Sequence, residues 1–130
     1  MNITAFFTTE EGGSYFAEIN IPLDMKREDA FGHLISCSQP YSSDNVQLVE
    51  LPADLDQDWH NAPAIQMVVV VSGTIEVETT DGECKRWDAG GIFMPADVTG
   101  RGHRTRVIKG PAQVLFVPFP DDFDVNAWVS

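Results

Sequence analysis

His60 and His103 stand on either side of a glycine-punctuated β pattern, QMVVVVSGTIEVETTDGECKRWDAGGIFMPADVTGRG, in an order suited to closing one pocket. Imidazole is the commonest ligand of first-row transition metals at neutral pH, and two imidazoles with one oxygen donor leave coordination positions open for a substrate or O₂. Strand alternation puts Gln66, Val68 and Val70 on one face and Ile65, Met67 and Val69 on the other. If the first face looks inward, the Gln66 amide oxygen is the third donor. The expected metal set is therefore His60, Gln66 and His103, holding Fe, Mn, Ni or Zn, with Asp58 or Asp97 as alternative sources of a carboxylate. Without a metal, the same histidines would hydrogen-bond a ligand directly.

Arg101 and Arg104 flank His103, and a guanidinium holds a carboxylate or phosphate through paired hydrogen bonds. Arg101, between two glycines, has the freedom to reach over a pocket mouth, so the expected ligand is anionic, with Arg101, Arg104 and the neighbouring Trp59 as its contacts. Against this, Arg104 and Arg106 share a strand face by alternation and can pair with carboxylates such as Glu76 or Glu78. His33 has no ligand-like companion and reads as a structural or surface histidine. Cys84, just past a turn, reads as an exposed thiol. There is no Gly-x-Ser-x-Gly elbow and no phosphate-binding Gly-Lys-Ser/Thr loop.

At 130 residues and 43% hydrophobic content the chain fits one domain that closes a core without obligatory staples. Its net charge of −12 repels nucleic-acid backbones and anionic membrane surfaces, so neither is an expected partner. Arg101, Arg104, Arg106 and Lys109 are nevertheless four of only eight cations, which predicts a locally positive field near His103. Two cysteines, Cys37 and Cys84, without Cys-x-x-Cys spacing, point to free thiols in a reducing compartment. The start lacks a signal-peptide pattern and the longest apolar run, Met67 to Val71, is too short for a bilayer. A cytoplasmic location is expected.

ITAFFTT and SYFAEI around Glu-Glu-Gly-Gly predict an N-terminal hairpin, whereas LDMKREDA lacks alternation and is either a helical turn or a loop. Strands resume at VQLVEL. AIQMVVVVS, apolar on both faces, predicts a strand covered on both sides, and after a tight turn GTIEVETT predicts a half-solvated one. Asp81-Gly82 predicts a type I′ turn into ECKRW. RTRVIKG and AQVLFVPF read as the last two strands, and PDDFDVNAWVS as an acidic tail anchored by Phe123 and Trp128.

These stretches resemble the cupin superfamily. Its first motif, His-x-His, three or four residues, Glu, six residues, Gly, is matched here by His60-Asn61-Ala62, Pro63 to Ile65, Gln66, Met67 to Ser72 and Gly73. Ala62 and Gln66 stand where the second His and the Glu belong. The second motif is echoed by Gly90-Gly91-Ile92-Phe93-Met94-Pro95 and then His103, three residues later than the pattern. The resemblance implies an all-β fold, a single antiparallel double-stranded β-helix (jelly-roll) barrel with a core over about 46–119, N-terminal strands over 1–22 and a C-terminal tail over 120–130. It implies a pocket for a small organic acid or sugar-like molecule and two function classes. One is a metal-dependent enzyme of oxygenase or isomerase type; the other is a non-enzymatic binding or sensing domain without metal. The loss of the carboxylate and of one His implies a weakened hold on any metal. A homodimer is expected as well, covering the N-terminal strand edge and the outward face of Ile65, Met67 and Val69.

Overall fold

The computed structural model describes residues 1–129, so of the expected tail only Ser130 lies outside it. The chain is all-β, with strands β1 (Asn2–Thr8), β2 (Ser14–Asn20), β3 (Met25–Glu28), β4 (Leu34–Cys37), β5 (Gln47–Leu51), β6 (Gln66–Glu78), β7 (Cys84–Trp87), β8 (Ile92–Pro95) and β9 (Arg104–Pro118). A single 3-10 turn, Val125–Trp128, closes the described chain, and among the described residues no helix is long and apolar enough to cross a membrane. Seven strands form one mixed sheet in the order β2-β1-β8-β6-β9-β5, with β7 paired to β6, while β3 and β4 form a separate two-stranded sheet. All of these ladders are antiparallel except β1 with β8.

The β6–β9 pair is the spine. Val68, Val70, Ile75 and Val77 of β6 are buried with Phe6, Phe93, Val107, Ala112 and Val114 in one core. Ile65 and Met67 pack on a second core made by Ile3, Ala5, Phe7, Ile19, Met94, Phe119 and Trp128. The double-sided apolar pattern of AIQMVVVVS thus marks a strand covered on both faces. The tight turn expected after it is absent: β6 runs on through Ser72-Gly73 with register shifts against β9. Gly73 has φ +84°, and a Cβ there would lie 2.6 Å from the Lys109 carbonyl oxygen and 2.8 Å from Ala112 Cα. A glycine that reads as a turn is a bend at a close backbone approach. In the same way RTRVIKG and AQVLFVPF are two halves of one strand.

The turn at Asp81-Gly82 is a hairpin turn of another type. Gly82 has φ +88° and among the described residues no non-glycine residue has positive φ, which excludes type I′. The Gly82 N–H donates to the Thr79 carbonyl at 3.0 Å and the Thr79 N–H to the Glu83 carbonyl at 3.0 Å. This is the longer loop that ends on a left-handed glycine, with Asp81 Oδ1 accepting from the Thr79 hydroxyl at 2.6 Å. The same backbone pair of bonds closes Thr9–Gly13 and Asp29–His33. LDMKREDA, left open between helix and loop, therefore supplies β3 and the turn into β4. At that turn His33 is exposed and its Nδ1 lies 2.8 Å from Asp29 Oδ2.

Two expectations about surfaces are corrected. β1 is not an edge, because β2 and β8 flank it, and Ile65 and Met67 are partly buried against the chain's own second core. Phe123 and Trp128 do anchor the tail, with Tyr41 wedged against both rings. The expected positive field is also reduced, because two of its four cations are paired with carboxylates. Arg106 Nη2 lies 2.9 Å from Glu76 and 2.8 Å from Glu78, and Arg104 Nη2 lies 3.4 Å from Asp56. Glu76 also accepts from Arg86 Nε at 2.6 Å.

The Arg86 hydrogen bond, opposed by burial and reinforced by Arg106, holds the Glu76 carboxyl below the ordinary glutamate value of 4.5. A carboxyl depressed by folding stabilises above its unfolded pKa, and that stability is lost as the pH falls through the folded one. Glu76→Gln is expected to lower unfolding stability at neutral pH by about 1–2 kcal/mol, since the pair is only partly shielded from solvent. Urea titrations should show the gap between wild type and variant closing below the value of 4.5. A gap that persists unchanged into acid would contradict this account.

Candidate functional site

Segment 55–61, which no strand pattern marks, lies antiparallel beside the start of β9. The Gln57 N–H donates to the Thr105 carbonyl at 2.9 Å, and His60 and His103 exchange backbone hydrogen bonds of 3.0 and 2.9 Å. Directly paired residues in an antiparallel ladder project from the same face. The two imidazole rings accordingly meet with centroids 4.5 Å apart. Both line a cavity of about 260 Å³ whose apolar walls include Val68, Ile75, Phe93, Val114 and Phe116. Gln66 lies on the inward face of β6 and lines the same cavity, so the three expected metal ligands are brought to one space.

Both rings are fixed in orientation. His60 Nδ1 lies 2.7 Å from the Asp58 carbonyl oxygen, which can only accept, so this nitrogen carries the proton. His103 Nδ1 lies 2.6 Å from Asp97 Oδ2, in a pair whose side chains are almost wholly shielded from solvent. A carboxylate accepts in the same sense. Each neutral imidazole is therefore left with its lone pair on Nε2, the atom available to a ligand or a metal. Phe6 packs its ring edge-on against His103 at 4.8 Å and helps to fix the plane.

Asp97 and His103 sit at the two ends of a loop to whose carbonyl groups Asn61 makes most of the side-chain contacts. Asn61 Nδ2 lies 3.3, 2.8 and 2.9 Å from the carbonyl oxygens of Asp97, Thr99 and Gly100. Ser14 Oγ donates to the Gly102 carbonyl at 2.7 Å. Asp97 Oδ1 is buried and has no hydrogen-bond partner among the described residues. Sequence reasoning considered Asp97 as a metal ligand; the fold places it behind His103. It passed over Asn61 entirely, although its position next to His60 was a usable signal. The Asp58 side chain accepts from the Trp59 N–H at 2.8 Å and lies outside the cavity lining, so neither aspartate supplies a carboxylate to its wall.

The expected anion contacts are placed elsewhere. Arg101, Arg104 and Trp59 do not line the cavity, and among the described residues its wall contains no Lys or Arg. Arg104 alternates outward between His103 and Thr105, its guanidinium 5.9 Å from the centre of the Trp59 ring. Arg101 is exposed, and its backbone N–H donates to the Gly12 carbonyl at 2.8 Å. Cys84 is an exposed free thiol, as expected, and its sulfur lies 3.7 Å from Arg106 Nη2.

No protein-family model and no curated protein matches this chain. Several solved structures are similar to it, two of them as follows. One is a protein from Neisseria meningitidis, 25% identical, with a TM-score of 0.46 over 56% of this chain and 71% of the other. The second is a conserved protein of unknown function from Streptococcus pyogenes, 20% identical, with a TM-score of 0.47 over 78% of this chain and 80% of the other.

The pairing of the histidines depends on Gly102, which has φ +77° and sits so close to the His60 carbonyl that an added Cβ would collide with it. Gly102→Ala is expected to cost roughly 2–4 kcal/mol of stability and to separate the two rings. Thermal unfolding together with imidazole NMR shifts measures both effects. Wild-type stability with unmoved His60 and His103 signals would refute the dependence.

Proposed function

We propose that this chain is a small-molecule-binding protein of cupin type, a double-stranded β-helix whose interior cavity takes a compact, mainly apolar ligand by its polar end. The observation that carries the proposal is the pair of imidazoles at the cavity wall, each with Nδ1 held by an acceptor and Nε2 left free. A largely apolar cavity with a few convergent polar groups is the usual form of a small-molecule site, and about 260 Å³ falls just below the usual range, which suits a compact ligand. The fixed rings cost a ligand little ordering entropy on binding.

The same fixed Nδ1 atoms favour a second reading, a divalent transition metal held by His60, His103 and Gln66, because metal-binding imidazoles are oriented in this way. Bound there, Fe, Mn, Ni or Zn would supply Lewis-acid or O₂ chemistry to an organic acid or sugar-like molecule. The donors fit such an ion only weakly. Two neutral nitrogens and a neutral amide compensate none of its charge, and among the described residues no three His, Cys, Asp or Glu side chains gather to hold a metal. Asp97 acts only through His103. An anionic ligand is likewise poorly served, since it would need protonated imidazoles in place of the absent cations.

Elemental analysis of untagged, chelator-free protein should find well under one equivalent of metal, and a fragment screen by NMR should find binders that shift the His60 and His103 ring signals. A full equivalent of metal that His60→Ala removes would transfer the conclusion to the second reading. A metal-free protein in which no fragment reaches the two rings would leave the first without support.

The homodimer is proposed on a surface other than the one expected from sequence. β3 and β4 make no ladder with the main sheet, and two strands alone are marginal in water. Their hairpin exposes Met25, Leu34 and, at 85%, Phe31, while the outer edge of β5 is unpaired and exposes Leu48 at 75%. Lys26 and Arg27 place two of the eight cations on this arm, facing outward from a chain of net charge −12. A second copy offers the open edge that the arm lacks. Sedimentation should show a dimer at micromolar concentration that Phe31→Ser with Leu34→Ser converts to a monomer. A wild-type monomer would eliminate the arm as a self-association surface.

A further inference from the structure

We infer that the natural ligand meets Gln66 with an amide edge, an N–H beside a C=O as in a primary carboxamide or a lactam, carried on a small apolar body. This rests on the small-molecule reading above and names the chemistry of the ligand's polar end. Gln66 opens β6 on the same face as Val68, is only 9% exposed and lines the cavity. Among the described residues neither end of its side-chain amide is hydrogen-bonded, and the one buried side-chain atom sealed off without a partner is Asp97 Oδ1. The Gln66 amide is therefore unpaired and reachable from the cavity. Buried polar side chains are as a rule hydrogen-bonded, so an unpaired one that faces a cavity marks where a ligand bonds.

What this amide requires follows from its own shape. It holds an acceptor oxygen and a donor NH₂ side by side, and turning it over only exchanges the two. Another amide edge meets both at once, its N–H on the oxygen and its carbonyl on the nitrogen, in one coplanar pair of hydrogen bonds. A carboxylate or a ketone answers only the nitrogen and sets its oxygen against Oε1. An ammonium answers only the oxygen. A site with a buried group left unmet rejects such heads more strongly than it rejects a change of size.

The rest of the wall agrees with an uncharged head. Among the described residues no Lys, Arg, Asp or Glu lines the cavity, and an uncompensated charge is costly to bury. The Thr105 hydroxyl and the two imidazole Nε2 atoms meet an amide in either sense, as donors to its carbonyl or as acceptors of its remaining N–H. The assignment is therefore the same whichever protonation state the rings hold. The carbon body lies against Val68, Ile75, Phe93 and Phe116. A neutral head replaces the anionic one expected from Arg101 and Arg104, neither of which is part of the cavity wall.

Benzamide, acetophenone, benzoate and benzylamine share one apolar ring and differ at the head, and NMR titration of the full chain ranks them. Benzamide is expected to bind about tenfold or more tightly than each of the others. Its margin over acetophenone, in which a methyl replaces the NH₂, should hold at about pH 5.5 and at about pH 8, on either side of the ordinary imidazole value, because neither probe nor Gln66 titrates there. Gln66→Met keeps the length of the side chain and removes both hydrogen-bonding ends. It should bring benzamide to within about twofold of acetophenone and leave acetophenone within about twofold of its wild-type affinity. Acetophenone binding as well as benzamide, or a margin present at only one pH, would overturn the amide assignment and leave the cavity reading intact. Tighter binding of benzoate or benzylamine would do the same. No binding by any of the probes would overturn both. The wild-type ranking decides the matter even if Gln66→Met does not fold.

Discussion

The antiparallel pairing of β6 with β9 is the constraint on which the other parts depend. It runs from Gln66 opposite Pro118 to Glu78 opposite Arg104, and every other strand of the main sheet except β1 and β2 is attached directly to one of these two. Because side chains alternate along both strands, one register decides at once that Gln66, Val68, Val114 and Thr105 face the cavity and that Arg104 and Arg106 face away. The shifts around Gly73 let the pair bend without giving up the alternation on either side. A straight ribbon of this length would carry its two ends away from each other and leave the inward face open.

What the ribbon does not supply, the loops add by backbone bonding. The segment containing His60 is held beside β9 through main-chain bonds at Gln57 and His60, so the position of this histidine depends on peptide groups and not on side-chain packing. The partner histidine is positioned by a loop whose carbonyls converge on Asn61. Electrostatics then separates the inside from the outside of β9. Outside, Arg104 and Arg106 are matched by carboxylates in partial contact with water; inside, Asp97 has only an imidazole. The first arrangement contributes modestly to stability, and the second keeps a buried carboxylate hydrogen-bonded to the ring that meets the cavity.

The sequence made legible those features that follow from local alternation and turn chemistry. The N-terminal hairpin, the doubly covered Val68–Val70 stretch and the inward Gln66 all come from a period of two. The meeting of His60 with His103 also came from the sequence, but through the resemblance of two motifs and not through any local pattern. The errors have a common cause, since glycine signals left-handed or crowded backbone without saying which. At Gly82 it ended a longer turn than expected, and at Gly73 it marked a bend. The roles of Asp97, Asn61 and Arg101 depend on which loops lie beside one another, and a spacing along the chain does not contain that information. The β3–β4 arm was illegible for a different reason: its apolar residues face solvent, so its pattern lacks the contrast from which a strand is read.

Asn61 concentrates an unusual share of this arrangement in one functional group. Three carbonyl oxygens, which would repel one another if left alone, are directed at a single amide nitrogen. Asparagine is also among the chemically least durable side chains. Hydrolysis of that amide would put a carboxylate oxygen where the NH₂ group had been, changing attraction into repulsion at all three contacts without altering the size of the side chain. The loop between Asp97 and His103 would then be pushed outward, so chemical ageing of this one cavity-lining residue would loosen the site without any change of shape in the residue itself.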